Sequence, residues 1–150
     1  WDSGAVITIH HATVRDVDPV ALYRVLQLRT EVFIHEQGIV GEQEIDGRDL
    51  EPTTTLFWSE EPSGDVLATL RVLQDEVPAH IGRVATASSA RGRGLAADLV
   101  RAAIEFAGTD VAISAQAYLE EWYRRFGFVR TGPNYLEAGI DHLPMLLTRT

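Results

Sequence analysis

The stretch Arg91-Gly92-Arg93-Gly94-Leu95-Ala96 decides the fold prediction, because it joins a β-rich segment to an amphipathic helix. Glycines let the backbone curl so that successive N–H groups point into one concavity. The first turn of a helix adds unsatisfied N–H donors and the positive end of the helix dipole. These residues therefore predict a phosphate-binding turn, and an ordinary glycine-containing turn before a helix is the alternative.

Several other site types do not match the chain. It has no G-x-x-x-x-G-K-[ST] sequence, and G-x-G-x-x-G is not satisfied after Gly92. All 13 basic residues are Arg, which excludes a Schiff-base lysine and a lysine general base. Because the chain contains no Cys, thiol nucleophiles and cysteine metal sites are excluded as well.

Hydrophobic periodicity on both sides of the turn predicts alternating strands and helices. A helix is predicted over residues 95–106, and an earlier one from Asp18-Pro19 to Glu36. A third helix is expected to stop at Gly127, and the acidic segment 38–53 is expected to be a loop with short helical turns. The predicted strands are residues 6–10, 54–59, 66–73, 80–86, 111–114, 128–136 and 142–148.

This order of elements, β-α-β-β-β-α-β-α-β-β, predicts one layered domain of the α/β (α+β) class over residues 1–150. With 45% hydrophobic composition the chain is long enough to bury one core. No apolar run approaches the roughly 20 residues that span a bilayer, so we expect a cytoplasmic protein with no membrane partner. The formal net charge of −9 argues against a nucleic-acid partner, since phosphate binding needs clustered cations, and favours a cationic ligand.

Two motifs, in this order along the chain, resemble the GNAT acetyltransferase superfamily. Residues 91–96 match its motif A, [QR]-x-x-G-x-[GA], and residues 122–128 are similar to its motif B segment, [FW]-Y-x-x-x-G-F. Further segments, at residues 28–37, 44–47, 81–84, 115–117 and 139–142, resemble the ElaA-like branch of the superfamily. The resemblance covers nearly the whole chain. It implies a mixed central sheet of six to seven strands flanked by helices and splayed at strands four and five.

The resemblance also implies acetyl-CoA as the co-substrate. The backbone N–H groups of residues 92–96 would hold its pyrophosphate, and strand residues 84–86 would pair with its pantetheine arm as an added strand does. A backbone N–H of Val84 or Ala85 would stabilise the developing oxyanion. The implied coenzyme A contacts are Val84, Ala85, Thr86, Arg91, Gly92, Arg93, Gly94, Leu95, Ala96, Gln116 and Tyr123.

Tyr123 matches the family tyrosine that protonates the departing thiolate. A phenol with a pKa of about 10 can supply a proton to a thiolate of comparable basicity. The alternative is a core tyrosine, because Tyr123 adjoins Trp122 on an apolar helix face and buried hydroxyls usually find a carbonyl partner.

The base that deprotonates an amine acceptor is less well defined. Glu36, Asp46 and His142 are the candidates, and Glu36 and His142 are also open to structural interpretations, as a solvated helix end and a satisfied histidine. The acceptor pocket is predicted to contain Glu36, Gln37, Asp46, Arg71, Arg83 and His142. Arg71 or Arg83 would hold an acceptor carboxylate, or would form a structural ion pair with Asp46 or Asp49. No metal site is expected.

These observations predict an acetyl-CoA-dependent N-acetyltransferase that acts on the amine of a small molecule or peptide by direct attack in a ternary complex. An acyltransferase or synthase with a longer acyl donor is one alternative. A non-catalytic acyl-CoA-binding sensor is the other. Base rates of symmetry leave a homodimer possible.

Overall fold

The computed structural model describes residues 6–149, and within that range it contains one mixed sheet of eight strands flanked by helices. The α/β (α+β) class and the mixed sheet are thereby confirmed, with one strand more than expected. The strands are β1 (Thr8–Ala12), β2 (Thr54–Glu60), β3 (Val66–Leu73), β4 (Ala79–Thr86), β5 (Val111–Gln116), β6 (Val129–Arg130), β7 (Tyr135–Glu137) and β8 (Ile140–Leu147).

The splay between strands four and five is also confirmed. The sheet order is β1-β2-β3-β4-β5-β8-β6, with β7 also paired to β8. β4 and β5 are parallel and pair only at Ala79↔Val111 and His80↔Ala112. Beyond these residues β5 remains paired with β8 as far as Gln116↔His142, so the two halves of the sheet diverge.

Helices cover both faces of the sheet. Helix α1 (Pro19–Thr30) begins at Asp18, whose carboxylate accepts hydrogen bonds from two backbone N–H groups of the first turn at 3.1 Å. Helix α2 (Leu95–Ala107) connects β4 to β5. Successive side chains of β2 point to opposite faces: Leu56 and Trp58 pack with α1, whereas Phe57 packs in the α2 cluster.

The first helix differs from its prediction in its second half. Residues predicted as regular α-helix to Glu36 form a π-helical segment, Glu31–Glu36. Val32 is still buried there and Phe33 still packs against the core. The π-helical segment therefore buries the same apolar residues that an α-helix would bury. The spacing of apolar residues in the sequence could not distinguish the two helix types.

The carboxyl-terminal part of the chain is more broken than predicted. The third helix is a short turn at Ala117–Leu119 followed by α3 (Glu120–Arg124). The single strand predicted at residues 128–136 is wrong, because Gly132-Pro133 interrupts it and Pro has no N–H for the ladder, leaving β6 and β7. The first strand is shifted by two residues, because β2 pairs with residues 8–12. No helix in the described range is long and apolar enough to cross a membrane.

A buried group of ion pairs attaches the acidic loop to helix α1. Arg29 of α1 is only 1% exposed and lies 2.6 Å from Glu44 and 2.8 Å from Asp49. Both carboxylates belong to the loop before β2. Because charges out of water must be paired, this contact holds the loop against α1.

Removing the Arg29 charge should destabilise the fold strongly. Arg29→Met keeps most of the apolar volume but leaves the buried Glu44 and Asp49 carboxylates with fewer counter-charges, so the free energy of unfolding should fall by about 3 kcal/mol.

Arg124→Met is the control, since Arg124 is 59% exposed in a surface pair with Glu121 and should change stability by less than about 0.5 kcal/mol. Urea titrations followed by circular dichroism compare the two variants. If both variants lost equally little free energy of unfolding, the buried ion pairs would not be needed for stability.

Candidate active site

A cleft of about 770 Å³ opens where β4 and β5 diverge. One wall is the inner edge of β4 from Ile81 to Val84, and the opposite wall contains Ile113 and Gln116 of β5. Beyond His80 the inner edge of β4 has no strand partner in the described part of the chain. Its main-chain N–H and C=O groups are therefore free to pair with a ligand.

The turn before α2 has the geometry that a phosphate site requires. Gly92 and Gly94 have φ values of +81° and +74°, and a Cβ added at either would meet no atom within 4 Å. The first helical hydrogen bond runs from Asp98 N to Gly94 O. Within residues 6–149, the N–H groups of residues 91–97 donate to no protein acceptor. Residues 91–94 are exposed, so these donors are available at the head of a helix.

The two arginines of this turn are placed differently. Arg91 Nη2 lies 2.6 Å from Glu36 Oε2 and donates to Thr86 O at 3.2 Å. Arg93 forms no ion pair with any residue in the 6–149 range. Glu36, predicted as a base or acceptor contact, is thus the counter-charge of Arg91 and does not line the cleft.

β4 carries a bulge beside the cleft. Thr69 pairs with Ala85 and Arg71 pairs with Gly82, so Arg83 and Val84 together face the single residue between them on β3. Arg83 has a φ of +53°, which is rare for a residue with a side chain. A bulge of this kind redirects backbone groups away from the ladder.

The Arg71 and Arg83 side chains are occupied by acidic partners, as the ion-pair alternative predicted. Arg83 Nε lies 3.0 Å from Glu44 Oε2, and Arg71 Nη2 lies 2.7 Å from Asp46 Oδ2. Burial raises the pKa of Asp46, but hydrogen bonds from Arg71 and from the Arg48 backbone N–H outweigh it and hold the pKa well below its usual range. Asp46 is therefore a fixed anion rather than a base.

Tyr123 lines the cleft from α3 and is 6% exposed. Its ring packs edge-on against Trp122 and Phe128. Burial, with Tyr118 nearby, raises the pKa of the Tyr123 hydroxyl above its usual value. No side-chain hydrogen bond involving this hydroxyl occurs within residues 6–149, so the carbonyl partner expected of a core tyrosine is missing.

Three polar side chains, those of Ser114, Tyr135 and Glu137, surround His142 at the other wall. His142 Nδ1 is 2.7 Å from Ile140 O, and its Nε2 is 3.5 Å from Glu137 Oε2. The ring stacks on Tyr135, and the Tyr135 and Ser114 hydroxyls contact each other. The sequence analysis missed Ser114, Tyr135 and Glu137. Only the two-residue spacing that puts Tyr135 and Glu137 on one face of β7 could have suggested the last two.

The end of the first helical region reaches across the cleft. Gln116 Nε2 donates to Gln37 Oε1 at 3.0 Å, which links the end of β5 to the residue after the π-helical segment. Both glutamines line the cleft. Of the predicted site residues, the cleft brings together Gln37, Asp46, Arg71, Arg83, Val84, Gln116, Tyr123 and His142. Glu36, Ala85, Thr86 and residues 91–96 lie outside its lining. The described residues contain no cluster of three His, Asp or Glu side chains that could hold a metal ion.

Comparison with known proteins gives consistent matches. A family model described as an acetyltransferase (GNAT) domain matches residues 18–149. A UPF0039 protein of Mycobacterium tuberculosis is 44% identical over 137 residues, covering 88% of this chain and 87% of the relative. Protein ElaA of Escherichia coli is 33% identical over 147 residues, covering 91% and 92%.

Solved structures agree with the sequence relatives. A structure titled as an acyl-CoA N-acyltransferase from Pseudomonas aeruginosa superposes with a TM-score of 0.88 at 38% identity, covering 95% of this chain and all of that one. The structure of Escherichia coli ElaA superposes with a TM-score of 0.86 at 29% identity, covering 95% and 99%.

The Asp46 ion pairs predict a specific pH dependence of stability. A carboxyl group with a lowered pKa stabilises the fold fully above its unfolded-state pKa and loses that stabilisation as the pH falls towards its folded pKa. Asp46→Asn should therefore destabilise most near pH 7, and its difference from the wild type should shrink as the pH is lowered from about 5 to 3. Urea midpoints at each pH measure this difference. A gap that stays constant over that range would contradict the assignment.

Proposed function

The chain belongs to the GNAT acetyltransferase family, and from this premise we propose that it transfers an acetyl group from acetyl-CoA to the amine of a small molecule or peptide. The transfer is direct, with both substrates bound at once. The observation that carries the proposal is the row of unpaired N–H groups at residues 91–97, at the head of α2 and next to an open cleft. A diphosphate is the ligand class that such donors bind best.

Coenzyme A would lie along the end of β4. Its pyrophosphate accepts hydrogen bonds from the N–H groups of residues 92–96, and Arg93 adds a free positive charge. Arg91 joins it once the phosphates compete with Glu36. The pantetheine arm pairs with the free main-chain edge at residues 84–86, and Gln116 faces it from β5. With coenzyme A bound in this way, the thioester lies at the point where β4 and β5 diverge.

The bulge at Arg83 and Val84 supports the acyl-transfer step. A backbone N–H released from the ladder there stabilises the oxyanion as the amine nitrogen attacks the thioester carbonyl. The new C–N bond forms and the C–S bond breaks. The Tyr123 hydroxyl delivers its proton to the departing sulfur, which yields free coenzyme A and the amide product.

Tyr123 suits this role because its hydroxyl stays protonated and uncommitted. Its raised pKa keeps the proton in place at neutral pH, and no side-chain hydrogen bond in the described range occupies it. The same burial disfavours a free thiolate beside the phenol, so the basicity of the departing sulfur rises as well and stays comparable with that of the phenol.

The charge of the cleft favours a cationic acceptor. Its lining carboxylates are Glu42, Glu44, Asp46 and Glu137, and its lining arginines are Arg48, Arg71 and Arg83. All three arginines are already in ion pairs with acidic residues. An acceptor carboxylate would therefore have to displace a native partner, whereas a protonated amine meets an excess of negative charge.

Acetyl-CoA should raise the melting temperature. A ligand that binds only the native state stabilises it by mass action, so a concentration about 100 times the Kd should shift Tm by roughly 5 °C or more. Arg93→Gln should reduce the shift, because it removes the free charge beside the phosphates. Arg15→Gln, at an exposed arginine far along the chain from this turn, should keep it. No shift in the wild type at millimolar acetyl-CoA would contradict the proposed donor site.

Tyr123→Phe should lower kcat by about 100-fold while the acetyl-CoA Kd changes by less than about twofold, since the hydroxyl acts on the departing thiolate. Tyr118→Phe is the matched control, because Tyr118 also lines the cleft but is 76% exposed. Steady-state thiol release with a panel of amines and amino acids measures kcat. A kcat of Tyr123→Phe equal to that of Tyr118→Phe would remove Tyr123 from the mechanism. Binding of acetyl-CoA without thiol release for any amine in the panel would favour a non-catalytic sensor.

A further inference from the structure

The group around His142 offers a route for the proton that the acceptor must lose. Resting on the proposed function, we infer that His142 Nε2 takes a proton from the acceptor's ammonium group and that Glu137 stabilises the imidazolium that results. Tyr123 and His142 then transfer different protons in the cleft. The first gives a proton to the sulfur, and the second removes one from the nitrogen.

The hydrogen bonding of His142 determines which nitrogen is available. Nδ1 lies 2.7 Å from Ile140 O, and a carbonyl oxygen can only accept, so Nδ1 carries the hydrogen. A neutral ring with its hydrogen on Nδ1 has a lone pair on Nε2. The ring is held between strands on both sides, since His142 pairs with Gln116 on β5 and with Tyr135 on β7. The basic nitrogen is thus fixed in direction.

Glu137 lies where its carboxylate can stabilise the protonated His142 ring. Its Oε2 lies 3.5 Å from His142 Nε2, close enough for an ion pair once the ring is charged. The neutral ring offers Glu137 no donor at that nitrogen, so the favourable contact forms only when Nε2 binds a proton. Ser114 Oγ donates to the same Glu137 oxygen at 3.3 Å, and the Ser114 hydroxyl contacts that of Tyr135. This polar chain holds the carboxylate beside the ring.

The pair is reachable from the place where the acceptor would bind. His142, Glu137 and Ser114 all line the cleft, as does Tyr123. His142 itself is only 6% exposed, so it meets the acceptor inside the cleft rather than in bulk water. The Glu137 side chain is 52% exposed, so water screens part of its charge and the contact with the ring is a moderate one.

The other candidate bases are already committed to cations. Glu36 pairs with Arg91, Asp46 pairs with Arg71, and Glu44 is shared by Arg29 and Arg83. The titratable and charged groups that face or adjoin His142 are Tyr135 and Glu137 on β7, Asp141 on β8, His80 and Arg83 on β4, and Tyr123 on α3. Of these, Glu137 is the one carboxylate in ion-pair range of the His142 ring among the described residues.

The proton balance closes without a further reactant. An ammonium acceptor loses two protons as it becomes an amide. One passes to His142 Nε2 and on to solvent. The other leaves the attacking nitrogen as the C–S bond breaks and replaces the proton that Tyr123 gives to the sulfur. The products are then the amide, the thiol of coenzyme A and one proton in solvent.

The test is the pH dependence of kcat/KM for acetyl transfer in the wild type, His142→Gln and Glu137→Gln. The wild type should lose activity on the acidic side as His142 becomes protonated. His142→Gln should lower kcat about 100-fold and abolish that limb. Glu137→Gln should lower kcat by a smaller factor, about tenfold, because the imidazolium loses its counter-charge.

His10→Gln is the matched control. His10 Nε2 also lies 3.5 Å from a glutamate oxygen, Glu60 Oε2. His10 is on β1, however, and no residue of β1 lines the cleft. Its pH profile should equal that of the wild type. NMR of the His142 ring gives a second readout that needs no turnover, and Glu137→Gln should change the Nε2 signal, because the charge 3.5 Å from that nitrogen is removed. This readout decides the question if His142→Gln does not fold.

The outcomes separate the two proposals. A wild type that transfers acetyl groups, together with unchanged profiles in both variants or an unchanged His142 Nε2 signal in Glu137→Gln, would overturn the His142–Glu137 pair and leave the proposed function standing. A wild type that releases no thiol with any amine would overturn the proposed function, and the pair with it.

Discussion

Strands β4 and β5 hydrogen-bond to each other at only two residue pairs, and the chain beyond must then satisfy its main-chain groups elsewhere. β5 does so by staying with β8, whereas the inner edge of β4 faces an open cleft. Unpaired backbone donors and acceptors are costly to bury, so this edge remains at a surface that a ligand or water can reach. The cleft, the bulge at Arg83 and the polar group around His142 all lie along this divergence.

Charge pairing shapes the same region from the other side. The loop between α1 and β2 carries Glu44, Asp46 and Asp49, and three arginines from α1, β3 and β4 bind them. These pairs anchor a segment with little regular structure of its own. They take the Arg71 and Arg83 side chains away from ligand binding and neutralise Asp46 and Glu44 at the same time. The excess negative charge of the cleft therefore comes from Glu42 and Glu137, which form no ion pair with an arginine among the described residues.

Much of the fold was predictable because its signals are local. The turn at residues 91–96 has glycines at positions with positive φ, and the helix after it shows clear three- and four-residue apolar spacing. The breaks were harder to predict. The π-helical segment keeps the same apolar residues buried as an α-helix would, and the two strands after Gly127 are each too short to show alternation. The proposed coenzyme A contacts and the proposed role of Tyr123 followed from motif positions, but Ser114, Tyr135 and Glu137 belong to no motif.

The sequence by itself determined the family, the glycine turn at residues 91–96, the helix that follows it and the absence of lysine and cysteine chemistry, because each of these depends on residues close together in the chain. Only the tertiary structure decided which charges meet. Arg91 finds Glu36 across 55 residues, and Arg83 finds Glu44 across 39. Such contacts depend on how the sheet diverges and how the loop docks. The spacing of residues in the sequence specifies neither of these. The sequence could therefore name Glu36, Asp46 and His142 only as alternative bases, and the ion pairs that distinguish them appear only in the tertiary structure.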